Sequence, residues 1–504
     1  MLIENALLWI AILILASVVS SKLSERFAVP VLLLFLAVGM LASWDRVGGI
    51  YFDDAGLART IGIVALVFII FSGGLDTNWQ DTRPVVLPGI VLSTLGVLLT
   101  ALLTGFFAIL VLQLSLLEGM LLGAIVSSTD AAAVFGVLRS RRTCLVPPLR
   151  PLLEFESGSN DPMAIFLTVG FLSLMTAERA SLATLLPRLA LNMGAGAAVG
   201  LLMGRLMAVI VRRLKLMYQG LYPVTMIGLV LLTYAAAGLL RGNGILAVYL
   251  AGLVLGQSAF PNKQMLLRFH DGVAWLMQIV MFVTLGLLAF PGRIIPLAGA
   301  GLLLAFLLMF IARPLSVFLC LAPFRIDRRR KAFAAWVGLR GSVPIILATF
   351  PLVAGVAQAD TIFNIVFFVV IASVFVQGTS LPFVARWLNL DTPVDDRARS
   401  PIEFERTEAI DAELTETIVP PGSAAVGKAL AELGVPDKCL IVLIARGGRF
   451  VIPHGSTTIK GGDVLQVLAN EDDFRSLHRI LSALADRPDD DAPVEKPDAA
   501  PEPE

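Results

Sequence analysis

Thirteen apolar runs recur along this chain as candidate spans of a lipid bilayer: near residues 5–21, 28–43, 57–75, 84–112, 117–138, 155–176, 188–211, 222–240, 244–257, 272–290, 295–322, 332–354 and 361–385. About 20 apolar residues span the hydrocarbon core as a helix, and backbone within lipid must satisfy its own hydrogen bonds. The sequence therefore predicts an all-α polytopic membrane protein of about 13 transmembrane helices, with the ninth short and the fourth, seventh and eleventh long or tilted. The N-terminal run MLIENALLWIAILILASVV has the apolar core of a signal peptide. It carries Glu4 where such a peptide carries Lys or Arg, so it reads as the first span.

Basic and acidic residues balance at 39 each, so net charge gives no sign of a nucleic-acid partner. Their placement is more telling. One set of alternate loops holds Lys22, Arg26, Arg83, Arg139, Arg141, Arg142, Arg150, Arg212, Arg213, Lys215, Lys263, Arg268, Arg325, Arg328, Arg329, Arg330 and Lys331, and the opposite set little more than Arg46, Arg179, Arg241 and Arg293. The positive-inside rule then puts the N-terminus outside (periplasmic) and the C-terminus in the cytoplasm. Strict alternation also supports the span count, because one miscounted helix would scramble it. Cys144, Cys320 and Cys439 are too dispersed for a disulfide framework or a metal site.

Beyond a membrane region at 1–390 comes a charged linker (391–402), then a segment at 403–485 that reads as a small cytoplasmic α/β domain. The runs CLIVLIA (439–445), FVIP (450–453) and VLQVLA (464–469) are strand-like and bounded by Gly447-Gly448 and Gly461-Gly462, and KALAELGV (428–435) reads as a short helix closed by Gly434. The acidic, Pro-rich tail at 486–504 has the composition of disorder.

Polar residues inside the spans are expensive and point to function. The fifth span carries Ser127, Ser128, Thr129 and Asp130 at its middle, where four polar residues offer the backbone alternative hydrogen bonds and a helix can unwind around an ion. The plainer alternative is that Ser and Thr bond back to their own helix while Asp130 pairs with a neighbour. The sixth opens with ESGSNDP: Glu156 and Asn160 share a face, and Asp161 lies about 100° further round. Glu156 alone also suits a carboxylate at a helix entrance. In the twelfth span, Arg340 stands between Gly338 and Gly341 with Pro344 after it, the pattern of a discontinuous helix, although Arg340 could instead snorkel to the membrane edge. Arg205 and Arg313, near helix ends, read as packing or interface residues, and Asn243, Gln278 and Thr284 as interhelical hydrogen bonds. His270, His454 and His478 fall outside the predicted membrane core. Seven helices separate the fifth span from the sequence position of the twelfth, counting to it, so the two cross in opposite directions, as inverted repeats of helices one to six and eight to thirteen require.

With SSTD, ESGSND and GLRGSVP on these spans, the membrane region resembles the cation/proton antiporter superfamily in its sodium-proton exchanger-like, bacterial NhaP-type branch. The segment PPGSAAVGKALAELGVPDKCLIVLIARGGRFVIPHGSTTIKGGDVLQVL is similar to the TrkA-C domain, the C-terminal half of the regulator-of-potassium-conductance module, a pairing found in potassium/proton antiporters of the NhaP2 (CvrA) type. The resemblance implies that Asp161 binds cation or proton with Asn160 beside it, that Thr129 and Asp130 form an unwound crossing, that Ser157 is a further ion ligand, and that Glu156 pairs with Arg340. An Asn-Asp pair in place of two aspartates implies electroneutral exchange. Also implied are an inner-membrane homodimer serving pH, potassium and cell-volume homeostasis, a regulatory small ligand at the cytoplasmic domain, and no cofactor beyond the transported K⁺ or Na⁺ and H⁺. Carboxylate, hydroxyl and carbonyl oxygens suit K⁺ and Na⁺ alike. The competing functions are sodium (lithium)/proton exchange, a channel gated by the cytoplasmic domain, which would lack a TVGYG-like filter, and a sensor that no longer transports; none is an enzyme.

Overall fold

The computed structural model describes residues 2–392 and 412–482, apart from 28–29, 44–49, 142, 177–181, 215, 259, 261–262, 290–291, 293–294, 421 and 448. Most of the anticipated linker, residues 403–411, the acidic tail and the loop cations Arg46, Arg142, Arg179, Lys215 and Arg293 lie outside the described residues. The chain divides into two units between Val394 and Asp395.

Among the described residues of the first unit, the thirteen anticipated runs are all helical. Eight are long and apolar enough to cross a membrane: Leu2–Phe27, Ala55–Asp76, Trp79–Leu112, Leu182–Arg213, Leu221–Leu239, Lys263–Leu287, Ala298–Cys320 and Ala359–Trp387. The second (Val31–Ser43) and ninth (Gly244–Gly256) have 13 residues each, and the sixth (Leu149–Thr176) is long but polar at its start. The fifth and twelfth are broken, into Leu116–Ile125 and Ala131–Ser140, and into Arg328–Trp336 and Ser342–Ala354. Local chemistry sets several ends. Asp54 caps the third span by accepting from Leu57 N at 2.8 Å, and Ser115 with Glu118 forms a reciprocal capping box at the start of the fifth.

The packing repeats itself with the chain order exchanged. The second span packs on the tenth and the ninth on the third, so that the second and ninth spans, and the third and tenth, each seven positions apart in the chain, exchange roles. Both crossings rest on glycine pairs: a Cβ at Gly39 would stand 2.9 Å from Gly286 Cα, and one at Gly74 3.2 Å from Gly252 Cα, so these backbones touch as small residues in membrane helices allow. The fourth and eleventh spans, also seven apart, each contain a π turn, Leu92–Gly96 and Leu308–Ala312. A two-residue antiparallel pairing joins β1 (Cys144–Leu145), after the fifth span, to β2 (Asp391–Thr392), after the thirteenth.

The second unit is an antiparallel sheet in the order β3 (Glu413–Ile418), β6 (Val464–Ala469), β4 (Leu440–Arg446), β5 (Arg449–Val451). The helix Glu471–Ser482 buries Leu477 and Leu481 against Ile444, Leu465 and Val467. Asp463 anchors the turn into β6 by accepting two hydrogen bonds from Arg446, at 2.8 and 2.7 Å, which holds that guanidinium's proton above its ordinary range. The short helix expected at 428–435 is absent. Only a 3₁₀ turn forms, Leu430–Glu432, because Leu430 N and Ala431 N donate to the Thr457 and Gly455 carbonyls, at 3.0 Å each, and are unavailable for helical bonds.

Candidate functional site

The two broken spans meet at their breaks. Ile125 ends the first half of the fifth span, and Ser127 turns back to donate to the Ala124 carbonyl at 2.7 Å. Three residues after Ser127, Asp130 restarts the helix: its Oδ1 accepts from Ala133 N at 3.1 Å while its own N–H donates to the Leu339 carbonyl, in the break of the twelfth span, at 2.8 Å. Arg340 answers from the other side. Its Nη1 donates to the Ser128 carbonyl at 2.7 Å. One backbone and one side-chain bond thus tie the breaks together.

The thirteenth span holds the twelfth open. Arg340 N donates to Ser373 Oγ at 3.1 Å, Ser373 to Gln377 Oε1 at 2.7 Å, and Gln377 Nε2 to the Trp336 carbonyl at 2.9 Å. Those side chains serve backbone groups on both sides of an interval where no helix supplies partners, which buried backbone requires. Charge is arranged to match. Arg340 sits at the carbonyl end left by the first half of the fifth span, and the Asp130 carboxylate lies at the N-terminal ends of both second halves, as helix dipoles favour.

Asp130 also explains a glycine. A Cβ at Gly341 would stand 2.7 Å from both Asp130 Cβ and Cγ. Gly341→Ala is expected to force the two breaks apart, at a cost of about 1–3 kcal/mol of stability. The melting temperature of the purified protein checks this, and a variant that melts like wild type would contradict the contact.

Against this crossing the sixth span presents three side chains. Ser157 Oγ donates to the Thr129 carbonyl at 2.6 Å, Asn160 Nδ2 to Thr129 Oγ1, and Asp161 accepts from Ser128 Oγ. Asp161, Asp130, Thr129, Ser157 and Ser128 line one cavity of about 1080 Å³. Asn160 is fully buried behind Thr129 and takes no part in that lining. Carboxylate, hydroxyl and carbonyl oxygens converge, a donor set suited to a hard cation and, at the carboxylates, to a proton.

The resemblance implied a Glu156–Arg340 pair, but the partner of Glu156 in the structure is Arg313. The Glu156 Oε1 lies 2.6 Å from Arg313 Nη2, a contact outside hydrogen-bond angles, and both side chains are 2% exposed. Arg340 is committed to Ser128, and Arg313 reaches Glu156 from the eleventh span, directly after its π turn, while also touching the Ala334 and Val337 carbonyls at 3.4 Å. Arg313 is therefore a buried ion-pair residue and not an interface one. Position 313 falls well inside the run 295–322, which was the available signal. Asn243 is the interhelical donor it was read as, to the Pro162 carbonyl at 3.1 Å. His270, placed outside the core by sequence, is buried between Phe71 and Phe269 because the tenth helix begins at Lys263. Asp76, Tyr249 and Asp271, not singled out in the sequence, also line the cavity.

The transmembrane sodium/hydrogen exchanger family model matches residues 10–387, and the TrkA-C domain model residues 414–482. The chain is similar to the K(+)/H(+) antiporter NhaP of Alkalimonas amylolytica, 38% identical over 96% of this chain and 84% of the relative. It is 40% identical to the K(+)/H(+) antiporter NhaP2 of Shewanella sp. strain ANA-3, over 94% of this chain and 82% of that one. Among solved structures, the sodium proton antiporter MjNhaP1 of Methanocaldococcus jannaschii superposes with a TM-score of 0.68 at 26% identity, covering 77% of this chain and 99% of the other.

Proposed function

The chain belongs to the sodium/hydrogen exchanger family, and from that premise we propose that it exchanges potassium for protons across a bacterial inner membrane, one for one, with both ions competing for Asp161. The observation that carries this reading is the Asp161 carboxylate on the wall of a cavity, at the point where two broken helices cross. One carboxylate can hold a proton or a cation, so neither flow proceeds without the other. Asp130, Ser157 and the Thr129 carbonyl complete the oxygen set, Asn160 holds Thr129 in place, and Arg340 and Arg313 fix the helices around it. Potassium is the cation named for the NhaP and NhaP2 relatives; the M. jannaschii relative is named for sodium.

Arg141 and Arg150, on the same cavity wall, belong to the arginine-rich set of loops. The cavity therefore faces the cytoplasm in this conformation, with the N-terminus outside, and rocking of one helix bundle against the other would turn the site outward. Residues 403–485 act as a regulatory domain in a homodimer, answering to a small ligand. Removing residues from 400 onward should change the pH or cation dependence of exchange; an unchanged dependence would make the domain a passive element.

The deciding experiment is proton movement in proteoliposomes with an imposed pH gradient and a clamped membrane potential, adding K⁺, Na⁺ or Li⁺ in turn. Collapse of the gradient by K⁺, insensitive to potential, is expected. A response to Na⁺ or Li⁺ alone would assign sodium/proton exchange, current without stoichiometric proton flow a channel, and no response a sensor. Competition for one carboxylate sets a second expectation. Lowering the pH should raise the apparent KM for K⁺, toward about tenfold per unit, while maximal rate at saturating K⁺ holds. A constant KM with a falling maximal rate would separate the two sites.

A further inference from the structure

Tyr249, in the ninth span, is 2% exposed, lines the cavity that holds Asp161, and has a hydroxyl with no well-formed hydrogen bond among the described residues. Burying a hydroxyl unpaired is costly, and most such groups are satisfied by protein or water. Thr77, on the same cavity wall, lies beside the phenol but gives its own hydroxyl proton to the Gly73 carbonyl at 2.8 Å, so toward Tyr249 it can at most accept, and the phenol oxygen is left without a donor among the described residues.

What the phenol does touch is the sixth span. A Cβ at Gly158 would stand 2.6 Å from Tyr249 Cε2 and 3.2 Å from its hydroxyl oxygen, so the absence of a side chain at 158 makes room for the ring. Gly158 follows Ser157 and lies three residues before Asp161. Pro162, four residues after it, has no N–H to offer the Gly158 carbonyl, which removes that carbonyl's usual helical donor. A phenol, and a backbone carbonyl without its usual helical donor, thus belong to residues that line the cavity together with Asp161.

Resting on the exchange reading above, we infer that Tyr249, with the Gly158 carbonyl, binds water retained by a partly hydrated alkali cation at Asp161. The cation is then held by protein oxygens on one side and by a protein-bound water on the other. A phenol is suited to this, because its hydroxyl donates and accepts while its ring fills apolar space.

The test is exchange by full-length protein in proteoliposomes, titrated with K⁺ and with any other alkali cation that exchanges. Tyr249→Phe keeps the ring and deletes the hydroxyl. It should raise the apparent KM for K⁺ about three- to tenfold, the loss of one hydrogen bond, with the maximal rate within about twofold of wild type. The rise should be larger for the more strongly hydrated cations, which a purely structural defect would not grade. Gly158→Ala keeps the hydroxyl but displaces it, and should raise KM in the same graded way. Unchanged KM in both variants, or lost maximal rate at unchanged KM, would overturn the assignment. Wild type inert toward every cation would remove the exchange reading and this inference with it, whereas normal wild-type exchange with unaffected variants removes this inference alone.

Discussion

Asp161→Asn should abolish exchange, to below about one hundredth of the wild-type rate, a loss of at least about 2.7 kcal/mol of transition-state stabilisation, while the protein still folds. The amide has nearly the same shape, and its oxygen can still accept from Ser128. What it loses is the ability to trade a proton for a cation. A folding defect would appear as a lowered melting temperature, so the two effects separate in one preparation. Asp130→Asn is the internal comparison. Asparagine is as good a helix cap as aspartate, and Asp130 caps Ala133 while its backbone binds Leu339, so exchange should fall far less there. Robust exchange by Asp161→Asn, with Asp130→Asn inactive, would move the exchanging carboxylate to Asp130.

The architecture was legible because membrane insertion allows little choice. A run such as 361–385 has no fate in lipid but a helix, and it forms one, Ala359–Trp387. The breaks were legible for the complementary reason: Ser127 to Asp130 and Gly338 to Gly341 are poor helix material at mid-span, and both unwind. Pairings were harder. Whether Glu156 meets Arg313 or Arg340 depends on how the eleventh span turns, and its π turn at Leu308–Ala312 has no marker in the run LLAFLLMFIARP. Tyr249 was invisible for a similar reason, since its meaning depends on Gly158 in another helix. In the second unit, β4 and β6 were apolar runs between glycines, whereas β3, ELTETI, has polar side chains through its middle and gains its place by pairing with β6. The helix Glu471–Ser482 did carry a signal that went unread: Asn470 caps it by accepting from Asp473 N at 2.8 Å, and acidic residues fill its first turn.

The Glu156–Arg313 pair yields the second large expectation, in stability and not in transport. Both groups are buried, so removing one partner leaves the other's charge without compensation, at about 3–5 kcal/mol. The two single variants should nevertheless differ. Arg313 also approaches the Ala334 and Val337 carbonyls at the end of the first half of the twelfth span, so Glu156→Leu leaves it with two acceptors. Arg313→Met strips both those carbonyls and Glu156, whose Oε1 has no hydrogen bond among the described residues to fall back on. Arg313→Met should therefore melt at the lower temperature of the two. Combining them removes both charges, and the double variant should be more stable than Arg313→Met alone, because the largest penalty was the stranded carboxylate. Thermal unfolding in detergent, followed for wild type, both single variants and the double, gives the coupling directly. Strict additivity would mean that the 2.6 Å approach carries no energy, and that Arg313 acts only as a clamp on the carbonyls of the broken helix.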